Sequence, residues 1–127
     1  MAAADSAVEA RLAEHGLTVP EVAAPVASYV PARRGGSFVF TAGQLPLRDG
    51  KLPATGRVSD SGEPGTVDPA TAQELAQQAA LNTLAAVKSA IGNLDRVVRV
   101  VKATGFVSSA PEFTGQAGVL NGASQLF

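Results

Sequence analysis

The chain has 127 residues, 46% of them apolar and 17% charged, the composition of one folded domain with a real core rather than of a disordered segment. Ten basic residues stand against eleven acidic ones and are scattered along the chain, so nucleic acid is not expected as the main partner. With no cysteine and a single histidine, disulfides are excluded, and neither a metal site nor a cofactor is expected.

In chain order, Met1 to Asp5 lacks the basic region and apolar core of a leader peptide, and no apolar run reaches the roughly 18 to 20 residues that a bilayer requires. A cytoplasmic protein without membrane contact is expected. Ser6 and Glu9 have capping-box spacing, and Gly16 is placed to stop a helix over 6–15. His15 in its last turn is a helix-end residue rather than a catalytic base. Leu17 to Pro31 carries three prolines and should run extended. Phe38 to Leu45 reads as a strand, and Asp49-Gly50 predicts a hairpin that returns Lys51 to Ala54 against it. Residues 55–67 are loop by composition.

Asp68-Pro69 then opens a helix that should reach Ile91 and stop at Gly92. Its apolar face comprises Ala72, Ala76, Ala80, Leu84, Val87 and Ile91, narrow enough to approach a sheet closely. Arg96 to Val107 is expected as a central strand, apolar on both faces. Ser109-Ala-Pro-Glu112 predicts the start of a further helix, continued by Val119, Ala123 and Leu126. That pattern stops on Phe127 in mid-course, which predicts that the natural protein is longer.

Few residues offer chemistry of their own. His15 has no serine partner for a catalytic triad, and neither Gly35-Gly36 nor Thr104-Gly105 has phosphate-loop spacing. What remains is a neutral polar set at element ends: Tyr29, Thr41, Gly43, Gln44 and Asn121. Singly, each has a structural reading as core cover, bulge or helix interior. Their order along the chain is what carries further.

Tyr29 precedes a short segment ending at Gly35. An apolar strand then runs into Thr41-Ala42-Gly43-Gln44-Leu45-Pro46. A helix with the internal Asn82, the run Val100-Val101-Lys102 to Phe106-Val107, and Phe113 to Asn121 follow in turn. As an ordered set over about residues 17–127, this resembles the Rid family of reactive-intermediate imine deaminases, also called YjgF and L-PSP. The leading helix and the Leu47 to Gly50 hairpin resemble its longer branch.

The resemblance implies an α+β, chorismate-mutase-like fold: a mixed sheet backed by two helices, three subunits forming a barrel, and ligand clefts between subunits. It implies a single domain over 1–127, with 1–16 as an N-terminal helical extension. The implied reaction is hydrolysis of an enamine/imine acid to a 2-oxo acid and ammonia. Gly43 would give its N–H to the substrate carboxylate, Tyr29 a wall and hydroxyl, Asn121 a polar contact, and Thr41 and Gln44 the rest of the step. The family's arginine clamp and water-orienting glutamate match no residue up to 127. Arg33, Arg34, Arg96 and Arg99 occupy none of those positions, so no catalytic residue is assigned. A regulatory trimer that binds small molecules without turnover is the alternative. Ribonuclease or translation inhibition, an activity attached to the family by name, is a third class.

Overall fold

The computed structural model describes residues 6–127. Met1 to Asp5, and the leader expectation that falls on them, lie outside the described residues. Two compact units divide the chain: residues up to Gln44 with Leu81–Val100, and Leu45–Ala80 with Val101–Phe127.

In the first unit, helix α1 (Ala7–Glu14) starts where the spacing places it, because Ser6 Oγ accepts the Glu9 N–H at 3.1 Å. Glu9's own carboxylate turns to Lys88 Nζ at 3.0 Å. The amides that a cap of one serine leaves over are taken by a distant residue. Asp95 accepts from Ala7 N at 2.8 Å, Val8 N at 3.0 Å and Ser6 Oγ at 2.9 Å. These donors, the Val8 and Ala7 amides foremost, hold the Asp95 carboxyl below its usual range. Asp95 itself sits in a 3-10 turn, Leu94–Arg96, whose start is capped by Asn93 Oδ1 accepting the Asp95 N–H. Leu12, Leu81, Ala85, Ala86 and Leu94 are the buried apolar residues here.

The same unit carries strands β1 (Ala32–Gly35) and β2 (Phe38–Thr41), antiparallel across the two-residue loop Gly36-Ser37. This corrects the expected hairpin. The Asp49-Gly50 turn does form, both residues having positive φ, but pairing stops at one bridge, Arg48 to Lys51. Pro46 and Pro53 flank that bridge closely, and neither can donate to a longer ladder.

The second unit shows that residues 55–67 are closed by structure at both ends. Strands β3 (Arg57–Val58) and β4 (Thr66–Val67) pair in parallel. Val58 also bridges to Ser109, donating to Ser108 O at 2.7 Å and accepting from Ala110 N at 2.9 Å. Val58, Val67, Ala72, Ala110, Phe113 and Val119 form its core, with Ala54, Ala76 and Val107 against it.

Helix α2 (Pro69–Ile91) has the bounds read from the sequence. Asp68 caps it, taking the Thr71 hydroxyl at 2.6 Å and the Thr71 N–H at 3.0 Å. These two bonds lower the Asp68 pKa. Its buried face departs from the expected stripe: Ala72 and Ala80 are buried as read, but Leu81, Asn82, Ala85 and Ala86 are buried where Leu84, Val87 and Ile91 were expected to lead. Helix α3 (Gln116–Ser124) begins later than Ser109-Ala-Pro-Glu112 suggests. Ser109 is held in the bridge to Val58 and accepts from Gln116 Nε2 at 3.1 Å, so it cannot serve as a cap.

The α+β class is as expected, but the described residues make three α-helices and two separate two-stranded sheets instead of one mixed sheet backed by two helices. The central strand over 96–107 is not formed. Residues 97–107 belong to no ladder, and Val98 and Phe106 are 88% and 94% exposed. β-branched residues favour extended backbone, yet a strand exists only when a neighbouring strand satisfies its N–H and C=O groups, and no strand among the described residues pairs with 97–107.

Candidate functional site

Antiparallel pairing alternates between residue pairs that exchange backbone hydrogen bonds and pairs that do not. Ala42 N donates to Pro31 O at 2.9 Å, one step beyond the pair Ala32 and Thr41, so Pro31 and Ala42 form a bonding pair. By alternation Phe38 and Phe40 also bond toward β1. The N–H groups of Val39, Thr41 and Gly43 therefore point to the other edge of β2, which no strand among the described residues covers.

Pro31 explains why the ladder ends here. It accepts through its carbonyl but has no N–H to return to Ala42 O. Gln44 Nε2 approaches that oxygen instead, at 3.4 Å. One residue away, the Gly43 N–H finds no acceptor among the described residues. Gly43 is exposed, its φ is not positive, and a Cβ built on it would meet nothing within 4 Å. The fold thus makes no demand for glycine at this position. What glycine gives is room for an outside group to approach the backbone.

Tyr29 lies two residues before Pro31, beyond the end of the ladder, and its N–H donates to Ala27 O at 3.0 Å. The Tyr29 hydroxyl oxygen accepts the Val26 N–H at 3.2 Å, which leaves its proton to be donated outward. Thr41 is exposed at the end of β2. Thr41, Gly43 and Gln44 thus follow one another at the open end of β2, with Tyr29 two residues before Pro31 on the other arm of the hairpin. Asn121 belongs to the other unit, on α3, where its side chain is exposed and its carbonyl accepts from Gln125 N.

Two of the four arginines set aside above are tied to main chain: Arg34 Nε donates to Gly36 O at 3.0 Å, and an Arg96 guanidinium nitrogen to Ile91 O at 2.7 Å. Among the described residues no group of three or more His, Asp or Glu side chains could hold a metal. Nor is any helix there long and apolar enough to cross a membrane.

One polar cluster was not read from the sequence. Ser59 is 2% exposed, with its Oγ 2.9 Å from Ser61 Oγ and 3.3 Å from Glu112 Oε1, and it accepts the Ser61 N–H at 3.1 Å. The Ser-Asp-Ser spacing is that of a serine turn, a signal present in the sequence and hidden inside a loop composition. Its bonds are all internal to the loop and to Glu112, which makes it the loop's own fastening.

The model of a family described as "YjgF/chorismate_mutase-like, putative endoribonuclease" matches residues 9–127. The chain belongs to this YjgF family. Protein TCP17 of Trypanosoma cruzi is 38% identical over 123 residues, covering 97% of this chain and 74% of that protein. A Shewanella oneidensis crystal structure, described as a "putative endoribonuclease", superposes with a TM-score of 0.85 at 31% identity, over 94% of this chain and 76% of that one. Atu1372 from Agrobacterium tumefaciens, a protein of unknown function, superposes at 0.82 with 44% identity, over 94% and 70%. The YjgF/chorismate-mutase-like fold follows from these likenesses, and the motif order around Gly43 and Asn121 lies within the matched span.

Proposed function

We propose that the protein hydrolyses short-lived enamine/imine acids to 2-oxo acids and ammonia, as a cytoplasmic homotrimer with sites between subunits. In the reaction water adds to the imine carbon, the nitrogen takes up protons, and the C–N bond breaks to release ammonia and leave a carbonyl. The observation that carries this reading is the unengaged Gly43 N–H on an uncovered strand edge, in the same hairpin unit as a tyrosine whose hydroxyl proton is free to donate. Two neutral donors without a side-chain charge suit a carboxylate whose counter-charge comes from elsewhere. In this reading the arginine clamp and the water-orienting acid match none of the 127 residues.

Support for the trimer is the apolar surface left bare on one chain. Phe38 and Phe40 stand exposed with ring centroids 6.2 Å apart, and Val97 to Phe106 adds a second apolar stretch. The test is direct. Purified protein, with intact mass and sedimentation measured alongside, is mixed with freshly generated 2-iminobutanoate and loss of the imine is followed. Acceleration by a trimer supports the reading, and a trimer that leaves the buffer rate unchanged overturns it.

That the family and the Shewanella protein are described as endoribonucleases favours a second reading, RNA cleavage. Under that reading nuclease activity co-elutes with the protein through every column. Activity that separates from it belongs to a contaminant.

A further inference from the structure

We propose that Gln44 is a positioning residue, supplying the hydrogen-bond donor that Pro31 cannot. This rests on the reading of the hairpin end as a carboxylate site and adds what holds that site in shape.

Pro31 and Ala42 form a bonding pair in which only one of the two bonds can exist, because Ala42 N donates to Pro31 O and Pro31 has no N–H. Ala42 is half-buried, so its carbonyl is partly withdrawn from water. In a regular ladder that carbonyl would be satisfied by residue 31 and pairing would continue past Gly43. The Gln44 side chain folds back two residues to reach it, at 3.4 Å. The bond closes a small ring around the Ala42-Gly43 and Gly43-Gln44 peptides, fixing the direction of the Gly43 N–H while leaving that N–H unused. Proline opens the strand end, and glutamine keeps the opened end from sagging. Gln44 thus acts through Gly43, and its amide nitrogen is engaged with the main chain of its own step.

This predicts an exchange of roles that a simple packing role would not give. Gln44→Leu removes the donor and keeps the bulk. Pro31→Ala restores a backbone N–H that can reach Ala42 O. Two readouts are taken on the full chain. The first, without any ligand, is hydrogen-exchange protection of the Ala42 N–H. The second is affinity for 2-oxobutanoate, by the chemical-shift change of the Gly43 amide. Gln44→Leu is expected to lower both by about fivefold, the worth of one modest hydrogen bond, with the global unfolding midpoint unchanged. Pro31→Ala added to it is expected to bring both back to within about twofold of the parent.

A double variant as weak as Gln44→Leu alone overturns the inference, as does a Gln44→Leu protein with parental exchange and affinity. If the parent protein binds no 2-oxobutanoate, the carboxylate site is wrong. The exchange readout then decides by itself whether Gln44 replaces the missing donor.

Discussion

Helices α2 and α3 meet so closely at Gly122 that a single methyl group decides the sign of a stability change. A Cβ built on Gly122 would overlap the Gln73 carbonyl oxygen and stand 3.0 Å from the Gln73 carbonyl carbon, both rigid main-chain atoms. Four residues earlier, at Gly118, the same Cβ would meet nothing within 4 Å. Replacing either glycine by alanine gains helix propensity, up to about 1 kcal/mol in a helix interior and less near an end. That gain largely cancels between the two variants. What remains is the cost of parting the helices by roughly 1 Å, which forfeits a quarter to a half of each dispersion contact across the seam. The seam includes Ala72 of α2 and Val119 of α3, and it carries the Gln73 Nε2 bond to Gly118 O at 3.0 Å. Overpacking of this kind costs about 1–3 kcal/mol. Gly118→Ala should therefore unfold at or slightly above the parent temperature, with Gly122→Ala below Gly118→Ala by about 4–12 °C at roughly 4 °C per kcal/mol. Thermal unfolding followed by far-UV circular dichroism, with urea midpoints as a check, measures both. Equal midpoints for the two variants would refute the close approach.

Two further outcomes are expected. Asp95 has its folded-state pKa depressed by the Val8 and Ala7 amides. Its contribution is therefore fully present above the unfolded value of about 4 and lost as pH falls through the folded one. Exchange protection at Ala7 and Val8 should drop in that acid window, and Asp95→Asn should remove the pH dependence there while leaving that at Thr71, which Asp68 caps. An unchanged acid response at Ala7 and Val8 in Asp95→Asn counts against the clasp. At Gly43, where neither space nor φ requires glycine, alanine should shift the unfolding free energy by less than about 0.5 kcal/mol. It should nevertheless weaken 2-oxo acid binding, measured by calorimetry, because the added methyl lies where the ligand approaches the N–H.

The bounds of α2 and the start of α1 were legible because their signals are local: Asp68 before Pro69, Gly92 after Ile91, Ser6 before Glu9. So was the Asp49-Gly50 turn, and so was the ordered set of polar residues that pointed to the family. The hairpin partner was not, because pairing is a choice between segments. β2 took Ala32–Gly35 across Gly36-Ser37, a loop with a weaker turn signature than Asp49-Gly50. Ser109 looked like a cap by spacing and became a bridge residue once Val58 lay beside it.

The candidate site divides in the same way. That Thr41-Ala42-Gly43-Gln44 would be a neutral, glycine-centred step can be read from four letters. That its N–H faces an uncovered edge depends on the register with β1, and the register depends on which strand pairs with which. Asp95 gives the sharpest contrast: nothing within ten residues of it marks it as the cap of α1, more than eighty residues away. Short-range physics, the capping, turn and periodicity preferences of adjacent residues, was written in the order of the amino acids. Partner choice needs groups distant in sequence to meet, and only the tertiary fold decides which of them do.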